Sequence, residues 1–214
     1  MIHPILAYKM LLKDRIMKQL VDDKPSGDSP ELKAILAHIR MNLTREVKAS
    51  GLLNPLSSYV LFNCVKILKP EVIIETGVAN GVSSSILLSA LESNNKGYLH
   101  SIDLKDEGFL PKGKDIGWLI PEYLKARWHL YQGDSKHLLP RLVKHVGFVD
   151  IFLHDSDHDR ENILLELGTI WPFLSPKGII LVDDWWSNSA LNEFAGSHNL
   201  KVIKAIRIAG VRKN

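Results

Sequence analysis

Val72-Ile73-Ile74-Glu75-Thr76-Gly77-Val78-Ala79-Asn80-Gly81 is the stretch around which the rest of the chain is organised. Three β-branched residues in a row, Val72, Ile73 and Ile74, read as a fully buried strand. An acid, Glu75, and two glycines, Gly77 and Gly81, close it, and helical sequence follows directly over residues 82–91. Strand, glycine turn and helix open a nucleotide-binding βαβ unit. The glycines let the backbone turn tightly and approach a ligand. A phosphate would sit on bare N–H groups at the helix start, where positive partial charge gathers. A carboxylate at that place repels phosphate and suits a hydroxyl, an amine or a cation. The expected ligand is therefore a nucleoside carrying a positive group rather than a pyrophosphate. The spacing Glu-x-Gly-x-x-x-Gly also departs from the Gly-x-Gly-x-x-Gly of dinucleotide sites. A purely structural strand, turn and helix is the alternative.

Upstream, apolar residues recur at helical spacing. Residues 2–20 form one amphipathic pattern through Ile5, Leu6, Tyr8, Leu12, Ile16 and Leu20. A polar loop with Pro25 and Gly27 follows, and Ser29-Pro30 starts a second helix carrying Leu32, Ile35, Leu36, Ile39 and Leu43. Asn54-Pro55 starts a third, which Pro70 stops. Residues 1–53 are expected to be a helical prefix that serves as a cap over the ligand site, as sheet packing or as a dimer surface. Residues 54–214 are expected to form the α/β domain.

Downstream, strands and helices alternate. Residues 97–103 read as a second strand ending in Asp103, where nucleoside-binding α/β folds hold ribose hydroxyls. Residues 105–121 form a long loop, either a lid or a plain insertion. A third strand over residues 127–132 leads to Gly133-Asp134-Ser135 and a helix. Asp134 or Ser135 either caps that helix or meets an adenine edge. A fourth strand, residues 149–153, delivers the most polar run in the chain, His154-Asp155-Ser156-Asp157-His158-Asp159. A fifth, residues 179–182, delivers Asp183-Asp184 and then Trp185-Trp186. Residues 200–208 read as one late strand, with a hairpin partner beginning near Gly210. The fold class is α/β: a Rossmann-like, doubly wound, mostly parallel sheet with helices on both faces and an N-terminal helical prefix.

Composition narrows the function. A net charge of +3 on 214 residues lacks the basic stripe of a nucleic-acid protein. The single cysteine, Cys64, lies in an apolar helical stretch, excludes an intrachain disulfide and fits a reducing compartment. There is no apolar run of about 18 residues for a membrane span and no signal-peptide pattern, so a cytoplasmic location is expected.

Adjacent strands lie about 5 Å apart. If the fourth and fifth are neighbours, Asp155, Asp183 and Asp184 converge and raise each other's pKa unless a positive charge joins them. A hard divalent cation would resolve the conflict, with Mg, Mn or Ca favoured by oxygen ligands. Such an ion could activate a substrate hydroxyl, and a histidine beside it could take the proton. His158, in the loop, is the better candidate than His154. Helix capping and solvation are the alternatives for these acids.

In order, residues 72–81, Asp103, Gly133-Asp134-Ser135, Asp155-Ser156-Asp157-His158 and residues 178–184 resemble the class I S-adenosylmethionine-dependent methyltransferases. Within that class they are similar to the metal-dependent small-molecule O-methyltransferases, over about residues 54–208. The resemblance implies that Glu75, Gly77, Gly81 and Ser83 line the methionine part of the cofactor. It implies that Asp103 holds the ribose and that Asp134 and Ser135 border adenine. Asp155, Asp183 and Asp184 fall on the metal positions, expected to hold Mg. Asp155 and His158 would be catalytic. Asp184 stands where several relatives carry asparagine, and the lysine some relatives use as base has no counterpart. Seven strands are implied, the last antiparallel.

The function expected is methyl transfer to a hydroxyl of a small molecule, without nucleic-acid or membrane partners. The apolar prefix is compatible with a homodimer. A metal-dependent hydrolase using residues 154–159, or a non-catalytic cofactor-binding module, are the alternatives.

Overall fold

The computed structural model describes residues 4–23, 29–43, 54–104 and 110–214, with side chains from residue 11 onward. The side chains of Ile5, Leu6 and Tyr8, and residues 24–28, 44–53 and 105–109 with the expectations that fall on them, lie outside the described residues.

Three helices come first: α1 (Pro4–Val21), α2 (Pro30–Asn42) and α3 (Pro55–Leu68). Local chemistry sets their starts. The Ser29 hydroxyl accepts from the Leu32 amide, and Asn54 Oδ1 accepts from the amides of Leu56 and Ser57, each cap preceding a proline at the first helical position. The alternating part follows as β1 (Val72–Thr76), α4 (Val82–Asn94), β2 (Tyr98–Asp103), β3 (Trp128–Gln132), α5 (Ser135–Val146), β4 (Val149–His154), α6 (Arg160–Ile170), β5 (Leu174–Asp183), α7 (Ala190–Ser197), β6 (Ile203–Ala205) and β7 (Ile208–Arg212).

Among the described residues one seven-stranded sheet forms, in the order β3-β2-β1-β4-β5-β7-β6. The strands β1 to β5 are parallel, while β7 runs antiparallel to β5 and β6. The apolar runs alternate faces. Ile73, Ile151, Leu153, Ile179 and Leu181 join a core with α1–α4; Ile74, Phe152, Ile180 and Val182 join a second core with α5–α7. Burial of each such side chain is worth about 1.5–3 kcal/mol.

The prefix is part of the main core. Met17, Leu20 and Ile35 are fully buried in the same cluster as Phe62 and Leu87, so no core boundary falls near residue 53. Two expectations change at the sheet's end. The late run is a hairpin rather than one strand, because Ile206 turns at φ 52° between β6 and β7. The fifth strand starts before residue 179, because Ser175-Pro176-Lys177-Gly178 form a bulge inside a longer β5: Val149 pairs with Leu174, but Ile151 already pairs with Ile179. Cys64 is buried, and burial pushes its thiol up to about 12, so it acts as a core residue. No helix among the described residues is long and apolar enough to cross a membrane.

Candidate active site

Strand order reverses between β1 and β4, and ligands of open α/β sheets lie beyond the strand ends at such a point. Gly77 follows β1 there with φ +86°, and a β-carbon on it would stand 1.9 Å from the Asp155 carbonyl oxygen. Only glycine permits that approach. Gly81 caps α4 at φ +87° and packs against Gly117 and Ile120. The Gly117 and Leu119 amides donate to the carbonyls of Ala79 and Asn80, and Trp118 Nε1 donates to Asn80 Oδ1 at 2.7 Å. The described part of the expected lid is therefore a docked brace of the glycine turn. His38 on α2 reaches the same brace through the Leu119 carbonyl at 3.1 Å.

Asp103 ends β2 beside this turn. Its Oδ2 accepts from the amides of Val78 at 2.6 Å and Ala79 at 2.8 Å. Amides that could cradle a phosphate are thus engaged by a carboxylate, in keeping with a nucleoside rather than a pyrophosphate ligand. Glu75 is placed otherwise than expected. It is fully buried, and its oxygens accept from the hydroxyls of Ser83 (2.5 Å), Ser84 (2.6 Å) and Ser101 (2.8 Å). Burial pushes its carboxyl up to about 7, against the pull of the three hydroxyls. Glu75 and Ser83 brace the turn from within the fold and are not open to a methionine ammonium.

Asp134 caps α5 by accepting from the Lys136 amide, and Ser135 donates to Glu166 at 2.6 Å. The Asp134 side chain is thus a helix cap, while that of Ser135 is tied to α6. Asp157 and Asp159 likewise serve the start of α6.

The strand-end acids converge, since β4 and β5 are neighbours. Burial first, then the charge of Asp183, raises Asp155 well above the ordinary carboxylate range. Asp183 is raised by burial and by Asp184. His158 Nε2 lies 3.9 Å from Asp155 Oδ1, and its pKa is lowered, chiefly by burial and next by His154. The counter-charge differs from expectation. Arg207 Nη2 stands 2.7 Å from Asp184 and 3.4 Å from Asp183 Oδ2. Among the described residues no group of three or more His, Cys, Asp or Glu side chains could hold a metal ion. As arranged, Asp155, Asp183 and Asp184 do not fit a divalent cation, because a guanidinium already bridges two of them.

Glu166 was not singled out by the sequence, yet it ties the site together. Fully buried on α6, it accepts from Thr76 Oγ1 (2.6 Å), Ser135 Oγ (2.6 Å), Ser156 Oγ (2.9 Å) and His154 Nδ1 (2.8 Å). These partners outweigh burial and hold its carboxyl below the ordinary range. A carboxylate only accepts, so His154 carries its proton on Nδ1. The available signal was helical: Ile163, Leu167 and Ile170 mark a buried stripe, and Glu166 lies on it.

Two cavities, about 440 and about 490 Å³, lie elsewhere. One is lined by Pro70, Phe148 and Gly178, the other by Gln19, Leu200 and Arg212, and neither includes a residue of the strand-end cluster.

The family described as "Methyltransferase domain" matches residues 74–185, just over half of the chain. No curated protein matches it. Solved structures share the fold. The methyltransferase PaMTH1 of Podospora anserina, solved with SAH, is 15% identical with a TM-score of 0.62, the match covering 100% of this chain and 98% of that one. An O-methyltransferase of Bacillus cereus, also with SAH, is 15% identical at a TM-score of 0.60, covering 94% and 96%. MycE of mycinamycin biosynthesis, solved with Mg, SAH and mycinamycin VI, is 14% identical at 0.61, covering 87% of this chain and 55% of that one.

Proposed function

Since this chain belongs to the methyltransferase-domain family, we propose that it moves a methyl group from S-adenosylmethionine to a hydroxyl of a small molecule. The observation that carries the reading is the packing of Gly77 on Asp155. It sets the glycine turn after β1 directly beside the loop that carries Asp155 and His158. The SAH in the two fungal and bacterial neighbours, and the name O-methyltransferase of one of them, support the cofactor and the oxygen acceptor.

In this reading Asp103, fixed against the turn by the Val78 and Ala79 amides, faces the ribose, and Gly77 and Gly81 keep the backbone low enough for the methionine part. Asp134 and Ser135 flank the adenine side through the backbone at the start of α5. The cofactor, when bound, supplies a methyl group on a cationic sulfur, and in-line attack leaves the neutral thioether. The chain's task is to place the acceptor oxygen and remove its proton. His158 is suited to that. Burial keeps its imidazole neutral near pH 7, so a ring nitrogen can accept the hydroxyl proton. Asp155 lies 3.9 Å away, and its ionised form would favour the imidazolium that forms. No step is assigned to a metal, because Arg207 holds the acids where one would bind. The family match leaves the hydrolase reading without support.

Calorimetric titration of the protein with SAH tests the proposal. Saturable one-to-one binding, weakened by Asp103→Ala, is expected, followed by SAH release on some member of a panel of hydroxylated acceptors. Absence of SAH binding would overturn it.

A further inference from the structure

We propose that Arg207 is the built-in counter-cation of the strand-end acids, so that this chain holds Asp183 and Asp184 without a divalent metal and gains a metal site only when Arg207 is removed.

The placement is set by the fold. Asp183 pairs with Ile208 across β5 and β7, so the residue before Ile208 emerges at the carboxyl end of β5, beside the two acids. The turn that carries it is anchored on both sides. Trp185 Nε1 donates to the Ile206 carbonyl at 2.9 Å, and Lys204 Nζ lies 4.1 Å over the Trp185 ring. The Arg207 guanidinium lies 5.7 Å over the ring of Trp186, which adds cation–π attraction. These contacts fix the guanidinium against the acids; it is not a freely swinging surface arginine.

The electrostatics fit a permanent charge. Asp183 is 5% exposed at its side chain and Asp184 27%, so their repulsion is weakly screened. Arg207 lowers the pKa of Asp155 and of Asp183, against burial and mutual repulsion. A guanidinium stays charged at any working pH, unlike a histidine or a buried lysine. A divalent ion entering the cluster would meet that charge at close range and would have to displace a side chain held by two acids and a tryptophan face. Asp183 Oδ1 is buried and makes no hydrogen bond among the described residues. That oxygen is available to a metal once the arginine is gone.

The proposal rests on the same strand-end site as the methyltransferase reading but is read by a different signal. Chelator-treated, full-length protein is titrated with Mn and with Mg by calorimetry, and each sample is titrated with SAH in parallel. The wild type is expected to show no saturable metal binding at millimolar concentration. Arg207→Met, which keeps length without charge, is expected to gain a one-to-one Mn site at least tenfold tighter. Asp183→Asn added to Arg207→Met should remove it, and Arg207→Lys should behave as wild type. Saturable Mn binding to the wild type that Asp183→Asn abolishes would overturn the proposal. So would a folded Arg207→Met, shown by its SAH binding, that gains no metal site. Should Arg207→Met not fold, Arg207→Gln takes its place, and the wild-type titration decides on its own. Failure of SAH to bind any sample sinks the methyltransferase reading instead.

Discussion

The backbone of Gly77 meets the backbone of Asp155 so closely that a β-carbon on the glycine would stand 1.9 Å from the Asp155 carbonyl oxygen and 2.8 Å from the Ser156 amide nitrogen. That contact joins the glycine turn to the loop carrying His158. Gly77→Ala is therefore expected to cost about 3 kcal/mol or more, combining left-handed strain with displacement of a packed strand end. Gly113 provides the control. It has φ +77° with nothing within 4 Å of its β-carbon position, so Gly113→Ala should cost only about 1–2 kcal/mol. Urea unfolding of both variants measures the difference, and equal costs would contradict the packing.

Glu75 gives stability a pH dependence of defined sign. Its folded pKa, about 7, lies above the ordinary 4.5. The folded state then binds the proton more tightly than the unfolded one. The contribution is fully present below about pH 4.5 and is lost as pH rises through about 7. The whole effect is on the order of 3 kcal/mol. Glu75→Gln, which stays neutral, should flatten this part of the profile between pH 4.5 and 8 relative to wild type. Denaturant midpoints across that range check it, and parallel profiles would show that Glu75 stays ionised when buried.

The layout was legible where its cause is local. Val72, Ile73 and Ile74, and the apolar runs of β4 and β5, announce strands because both faces of a parallel sheet are covered. Asp134 and Asn54 announce helix starts because a cap needs only the next three residues. What stayed hidden is non-local. Glu166 meets Thr76 from 90 residues away and Ser135 from 31, and Arg207 meets Asp184 from 23. The hairpin was hidden for another reason. Residues 203–208 include Ile203, Ile206 and Ile208, so the β propensity runs straight across a turn that has no glycine. Counting the strand-end acids in the sequence likewise could not include the arginine that folding delivers to them.

Glu166 is expected to be the costliest polar residue to lose. Glu166→Ala would strand the Thr76, Ser135, Ser156 and His154 donors in the interior, at about 3–5 kcal/mol. Because its folded pKa is depressed, its contribution is present above the ordinary 4.5 and is lost as pH falls through the folded value. Glu166→Gln tests the hydrogen-bond assignment more finely. An amide NH₂ facing His154 would donate, which drives the imidazole proton from Nδ1 to Nε2. Nitrogen-15 NMR of the His154 ring distinguishes the two tautomers, and an unchanged tautomer would show that the substituted amide turns its oxygen, not its NH₂, to Nδ1.

His158 carries the prediction closest to the chemistry. Burial lowers its pKa first and the neighbouring His154 second, while Asp184, Asp183 and Asp157 oppose them. The neutral imidazole is the form that accepts a proton, so kcat should rise with pH on a limb whose midpoint lies below the ordinary 6.5. His158→Gln should remove that limb and lower kcat by about 10²–10⁴-fold, with SAH affinity held within about twofold because the turn at Gly77 and Asp103 is untouched. Asp155→Asn should retain part of the activity, since it leaves the base in place but weakens the stabilisation of the imidazolium. A pH–rate profile for the three proteins on one acceptor measures all of this. A His158→Gln enzyme with wild-type kcat and an unshifted profile would take the proton-accepting role away from His158 and leave it a positioning contact of the β4 loop.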